Sequence, residues 1–97
     1  MLIMPERIFE IRWPDGQHER CYSPSSTIEN YLTIGQEYSL ELFLTVVEKA
    51  LNEASERVRQ KYGYACSSAM DQLRKIKHRA SVFEKKLDST VLVINIT

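Results

Sequence analysis

The sequence predicts one small α+β domain with the element order ββααβ, in which two amphipathic helices pack on one face of a three-stranded sheet of order 2-1-3. Three observations predict it: two alternating segments that flank a Pro-Asp-Gly turn, two long stretches with helical periodicity, and an apolar run near the C-terminal end. Because domains commonly have roughly 100–150 residues, we expect residues 1–97 to form a single domain with a modest core.

The first two strands form a predicted hairpin. Phe9, Ile11 and Trp13 alternate with residues of the other face, which is typical of a half-buried strand. In the segment 14–16, proline presets a type I turn and glycine can take the left-handed conformation that closes a three-residue loop. This turn places Trp13 opposite Gln17, and the register then pairs Ile8 with Tyr22, Phe9 with Cys21, Glu10 with Arg20, and Ile11 with Glu19.

A short helical segment and a long helix follow the hairpin. Ser26 and Glu29 have the spacing of a capping box, which predicts one or two helical turns over residues 27–32. Ser39 is the expected cap of the long helix, and Gly63 is its expected end. The apolar stripe of this helix comprises Phe43, Val46, Val47, Ala50, Ala54 and Val58.

The second helix begins near Ser67 and Ser68 and is predicted to continue to the break at Asp88. Its stripe follows four- and three-residue steps through Ala69, Leu73, Ile76, Ala80, Phe83 and Leu87. The segment 91–96 is apolar on both faces, as in a central strand, and we expect it beside the first strand.

The sheet face opposite the helices is predicted to carry an apolar patch. We expect this patch to contain Ile8 and Tyr22, which are neighbours in the hairpin register, together with Val91 and Val93. Nothing else in the chain is available to cover it. A second copy of the protein is the simplest cover, which predicts a homodimer.

Composition excludes several classes of function. The chain has 13 basic and 13 acidic side chains, which argues against a general polyanion binder. Two cysteines and two histidines, far apart in sequence, form no metal motif, and no glycine-rich loop or other cofactor motif is present. No apolar run approaches the roughly 20 residues that span a bilayer, and the N-terminal segment lacks the basic and apolar regions of a signal peptide. We therefore expect a cytoplasmic protein without a cofactor or a membrane span.

Cys66 is the candidate reactive position. At the start of the second helix, unpaired N–H groups would favour its thiolate. The candidate functional corner around it consists of Tyr62, Tyr64, Cys66, Ser67 and Ser68, with Arg57 and Arg59 upstream as possible anion-binding groups. The alternative interpretation is that Cys66 is a small apolar residue between the helices, and no histidine is placed as its base. A bridge from Cys66 to Cys21, itself expected in the core, stays open.

Four blocks of sequence carry a family resemblance: Arg12–Gly16, Cys21–Ser25, Ala54–Arg59 and Lys61–Ala69. They resemble a small bacterial family called nitrogen-starvation response proteins, encoded in a conserved gene cluster with a nitrilase, a radical-SAM protein and an acetyltransferase. The resemblance covers about residues 6–83. It implies a cytosolic protein made under nitrogen limitation as an accessory to a neighbouring enzyme, and it assigns no catalytic residues.

Three hypotheses follow from the sequence. The leading one is a non-catalytic accessory or binding protein, homodimeric, associated with an enzyme of that gene cluster. The second is a thiol-dependent enzyme or redox protein that uses Cys66. The third is a regulatory nucleic-acid binder that uses the second helix, where the densest basic run is Arg74, Lys75, Lys77, His78 and Arg79. This run spreads around both flanks of the apolar stripe, which argues against nucleic acid as the partner.

Overall fold

The computed structural model describes residues 6–63, 67–84 and 88–97. Its strands form one antiparallel sheet of order β2-β1-β4-β3. The elements are β1 (Arg7–Arg12), β2 (His18–Ser23), a 3-10 helix (Ser26–Asn30), β3 (Glu37–Ser39), α1 (Leu40–Tyr62), α2 (Ser67–Ala80) and β4 (Thr90–Ile96). The predicted α+β class and the position of the last strand beside the first are confirmed. The prediction of three strands is wrong, because β3 adds a fourth.

β3 was not predicted from the sequence, because it is only three residues long and α1 begins directly after it. Its central residue, Tyr38, is buried and pairs with Val91 of β4. The preceding loop also bonds to β4: the Gly35 N–H donates to the Val93 carbonyl at 2.7 Å, and the Val93 N–H donates to the Gln36 carbonyl at 3.1 Å. The second edge of β4 is thus paired by residues that have no strand periodicity.

The hairpin register is confirmed residue by residue, from Ile8 opposite Tyr22 to Ile11 opposite Glu19. The Trp13 N–H donates to the Gln17 carbonyl at 2.8 Å and closes the three-residue loop. Gly16 has φ 88°, the left-handed conformation that the turn requires.

Both ends of α1 lie where the sequence predicts them. The Ser39 Oγ accepts a hydrogen bond from the Leu42 N–H at 3.2 Å, and Gly63 ends the helix with φ 83°. The 3-10 helix begins one residue earlier than predicted, because its cap is Ser25, whose Oγ accepts from the Thr27 N–H at 3.3 Å, and it ends at Asn30 instead of residue 32. The predicted capping box does not form, since the side chain of Glu29 pairs instead with Arg7 at 2.7 Å.

α2 ends earlier than its apolar stripe predicts. The helix stops at Ala80, after which the Val82 and Phe83 N–H groups donate to carbonyls three residues back, at 3.3 and 2.9 Å. The Ser81 Oγ donates to the His78 carbonyl at 2.6 Å and competes with helical bonding there. Phe83 still reaches the core, and Leu87 lies outside the described residues.

The two faces of the sheet differ from the prediction in β4. Val91 and Val93 are fully buried in the core, so their predicted place on the open face is wrong. The physical reason is pairing: Val93 stands opposite Ile11, and residues that are directly opposite share a face. Leu92 takes the open position instead. A bulge at Ile94 then shifts the register by one residue. As a result Asn95 lies on the open face, although the odd-numbered Val91 and Val93 face the core.

Candidate functional site

The candidate site is the side of the sheet opposite the hydrophobic core, which we call the outer face. It consists of side chains that alternate with core residues along each strand, and within the described ranges no helix packs on it. Its members are Ile8, Glu10, Arg12, His18, Arg20, Tyr22, Glu37, Thr90, Leu92 and Asn95. The predicted interface residues Ile8 and Tyr22 are thus on this face, opposite each other and half-buried.

One row of the outer face crosses all four strands. Arg12 stands opposite His18 on one side and opposite Leu92 on the other, and Leu92 stands opposite Glu37. We call these four residues the cross-strand row. It places a half-buried leucine between a cation on β1 and a carboxylate on β3.

Charge pairing separates the outer face from the rest of the molecule. Five arginines off this face each have a carboxylate within 4.0 Å, in the pairs Arg7–Glu29, Arg57–Glu53, Arg59–Glu56, Arg74–Asp71 and Arg79–Glu19. Arg12 and Arg20, the two arginines on the outer face, have none among the described residues, and Glu37 has no cation there either. The outer face therefore holds charges that are available to a partner.

Glu10 lies near both Arg12 and Arg20, but its carboxylate contacts His18. It stands opposite Arg20, yet its Oε2 lies 3.2 Å from the Nδ1 of His18. At the hairpin end of the face, an open groove of about 510 Å³ is lined by Arg12, Trp13, Pro14, Asp15, Gly16, His18, Thr90 and Leu92. The groove contains the predicted turn but is too open to enclose a substrate.

The predicted functional corner is described only in part. Tyr64 and Cys66 lie outside the described residues, so the thiol hypothesis stays a prediction. Ser67 and Ser68 are exposed in the first turn of α2, and Tyr62 is exposed in the last turn of α1.

The two arginines assigned to that corner point to solvent. Arg57 is exposed and lies 4.0 Å from Glu53, one turn earlier on the same helix. Arg59 pairs with Glu56, and this hydrogen bond raises the pKa of Arg59 and lowers the pKa of Glu56. Both guanidinium groups therefore form ion pairs with glutamates of α1, and neither turns inward to bind an anion.

Sequence reasoning missed a polar contact that joins the hairpin to α2. The indole N–H of Trp13 donates to Glu19 Oε1 at 2.9 Å, and the Arg79 Nη1 donates to the same oxygen at 3.2 Å. The Arg79 guanidinium also lies 5.7 Å from the centre of the Trp13 ring, which stacks on Phe83 at 5.9 Å. The available signal was the register, since it placed Glu19, a carboxylate, opposite Ile11 on the core side of the sheet.

The basic run of α2 is largely engaged by carboxylates. Arg74 pairs with Asp71 at 2.9 Å, and Lys77 pairs with Glu48 at 3.1 Å. Together with the contact from Arg79 to Glu19, these pairs use three of the five basic positions. Their positive charge is therefore partly neutralised within the protein.

Cys21 is fully buried, as predicted. Burial raises the pKa of its thiol, and the nearby charge of Glu19 raises it further, so the group stays protonated. Whether it pairs with Cys66 stays open, because Cys66 is outside the described ranges. In residues 6–63, 67–84 and 88–97, no cluster of three or more His, Cys, Asp or Glu could hold a metal ion, and no helix is long and apolar enough to cross a membrane.

One comparison with known proteins gave a match. The family model described as "Nitrogen starvation-induced protein NitG" matches residues 8–96. No curated protein and no solved structure match the chain. The match confirms the predicted link to nitrogen starvation. The matched region runs from β1 through β4.

Proposed function

The chain belongs to the NitG family of nitrogen starvation-induced proteins, and from that premise we propose that it is a non-catalytic accessory protein of the cytoplasm that works as a homodimer through its outer face. The enzyme that it serves is, in this proposal, one encoded in the same gene cluster. The observation that carries the proposal is the outer face, on which no described helix packs and where apolar groups lie among charges that have no oppositely charged partner among the described residues.

The composition of the outer face supports a protein-binding role. Ile8, Tyr22 and Leu92 are half-buried apolar groups on one side of the sheet. Arg12 and Arg20 lie on the same face and have no carboxylate partner among the described residues, and tyrosine and arginine are enriched in protein interfaces. In a monomer, these apolar and charged side chains would be exposed to water. A partner of complementary shape would bury the apolar groups and pair with the charges.

The shape of the molecule also favours binding over catalysis. Small-molecule sites are usually enclosed pockets lined by apolar groups. The groove at the hairpin is open and mostly polar. A broad sheet face is better suited to another protein surface than to a small substrate.

The homodimer is tested by sedimentation velocity across a range of protein concentrations. We expect the wild-type chain to shift from monomer to dimer as concentration rises, and Leu92→Asp to remain monomeric because it replaces the apolar side chain at the centre of the cross-strand row with a charge. Val82→Asp is the matched control, since Val82 is 71% exposed and lies off this face. A wild-type chain that remains monomeric at the highest concentration would contradict the proposal.

The accessory role is tested by affinity capture from nitrogen-starved cells. The tagged protein is captured after nuclease treatment, and the captured proteins are identified by mass spectrometry. We expect a stoichiometric enzyme from the same gene cluster. Recovery of only the protein's own copies would contradict the accessory role while leaving the homodimer intact.

A further inference from the structure

We propose that the two copies meet around a twofold axis parallel to β4, with Leu92 packed on the partner's Leu92 and with Arg12 of each copy paired with the partner's Glu37. This inference rests on the proposed homodimer and specifies its arrangement. The cross-strand row carries it, because this row is complementary to its own reversed copy.

The register places the charges symmetrically about Leu92. Arg12 is directly opposite Leu92 on β1, and Glu37 is directly opposite Leu92 on β3. Neighbouring strands lie about 4.8 Å apart, so the cation and the carboxylate flank Leu92 at equal distances on opposite sides. Reversal of the row about Leu92 therefore brings each charge over its opposite.

Symmetry leaves two simple ways to place one outer face against another. Both use a twofold axis in the plane of the interface. An axis along β4 exchanges the two sides of the sheet and puts Arg12 over the partner's Glu37. An axis along the cross-strand row keeps the sides in place and puts Arg12 over the partner's Arg12, which is repulsive. The charges thus select the axis along β4.

The pairing state of these groups supports the same arrangement. Neither Arg12 nor Glu37 has an oppositely charged partner among the described residues, and both are exposed. Two packed sheets lie about 10 Å apart with nearly aligned strands, which is within reach of an arginine and a glutamate side chain that extend towards each other. A guanidinium can bind a carboxylate through two parallel hydrogen bonds.

The size of the face sets the expected strength. Four strands at about 4.8 Å spacing and a longest strand of seven residues give a face on the order of 400 Å². Stable interfaces bury about 800 Å² on each partner, so this contact belongs to the weak, reversible class. We therefore expect association to depend on concentration, and the charge pairs to decide its orientation.

Charge reversal tests the arrangement. Arg12→Glu and Glu37→Arg should each weaken self-association by about tenfold or more, because each homodimer then contains two like-charged contacts. Mixed in equal amounts, the two variants should form heterodimers at close to wild-type affinity, since one contact is native and the other is reversed. The double variant Arg12→Glu/Glu37→Arg should also regain homodimers. Arg74→Glu, on the exposed side of α2, is the control and should have no effect.

Crosslinking gives a second readout that does not depend on charge. Leu92→Cys in a Cys66→Ser background should be joined into a covalent dimer by a bismaleimide that spans about 10 Å, because the proposal places residue 92 over its own copy across two packed sheets. Asn95→Cys in the same background should link at a comparable rate, because an axis parallel to β4 also places residue 95 over its own copy, whereas an axis along the cross-strand row would separate the two copies of residue 95. Circular dichroism checks that each variant is folded.

The outcomes separate this inference from the proposed function. If Leu92→Asp abolishes association but the mixture of charge variants associates no better than either one alone, the outer face is the interface and the arrangement is wrong. If the wild-type chain never associates, both the homodimer and its arrangement are wrong.

Discussion

The inner and outer faces of this sheet are built from the same strands, yet their side chains have different surroundings. On β1, Phe9 and Ile11 have no exposed surface, whereas Ile8 is half-buried and Arg12 is exposed. The inner residues pack against both helices. The outer residues lie on the opposite side of the sheet, where no described helix packs. Adjacent positions in one strand can therefore have different roles: inner residues stabilise the fold, and outer residues are available for recognition.

The largest effect is expected from the inner face. Trp13→Ala removes a ring that contacts Phe43, Phe83 and Arg79, and should lower the free energy of unfolding by about 3–5 kcal/mol. Urea denaturation measures this. Arg12→Ala, the preceding residue on the outer face, should change it by no more than about 0.5 kcal/mol. Equal losses for the two variants would contradict the division between the faces.

A smaller effect is expected at the rim of the inner face. Arg79→Ala leaves the carboxylate of Glu19, which is 21% exposed, without its cation, and should cost about 1–2 kcal/mol in urea denaturation. Arg74→Ala removes an exposed pair with Asp71 and should cost less than about 0.5 kcal/mol. If the two substitutions have the same effect, the contact between hairpin and α2 is no stronger than an ordinary surface pair.

The pH dependence of stability probes the buried thiol of the inner face. The folded protein raises the pKa of Cys21 above its ordinary value of 9.0. Above that pH the unfolded chain loses this proton while the folded chain keeps it, so stability falls as pH rises, by up to about 1.4 kcal/mol per pH unit. Cys21→Ala should reduce this slope and Cys66→Ser should retain it. Identical slopes in Cys21→Ala and the wild type would show that Cys21 does not contribute.

The smallest effect is expected from the contact between His18 and Glu10 on the outer face. His18 lies 3.2 Å from Glu10, and both side chains are partly in water. His18→Gln should change the free energy of unfolding by less than about 0.5 kcal/mol, as measured by thermal denaturation at neutral pH. A loss comparable to that of Arg79→Ala would mean that the outer face also stabilises the fold.

The sequence was most informative where a contact depends on nearby residues. The three-residue turn from Pro14 to Gly16 sets the hairpin register, and the predicted register agrees with the structure at each of the named pairs. The caps at Ser39 and Gly63 are local as well, and they bound α1 correctly. Ile8 and Tyr22 were placed on the open face for the same reason.

Contacts between distant segments were not predictable in the same way. The orientation of β4 depends on its pairing with β1 and with the short β3, and its residues are apolar on both faces. Nothing in the run Val91–Ile96 itself shows that Val91 and Val93 face the core and Leu92 faces out. The cross-strand row was therefore invisible in the sequence, because Glu37 belongs to a strand with no periodic signal.

The position of Trp13 gives the protein a built-in optical reporter. It is the one tryptophan in the chain, and it is buried between the hairpin and α2. Its fluorescence should be blue-shifted when α2 is docked and should move to the red when water reaches the indole. Because Trp13 belongs to the inner face, association through the outer face should leave its emission nearly unchanged. Trp13 fluorescence should thus follow folding alone, while sedimentation velocity follows self-association, both in the unlabelled chain.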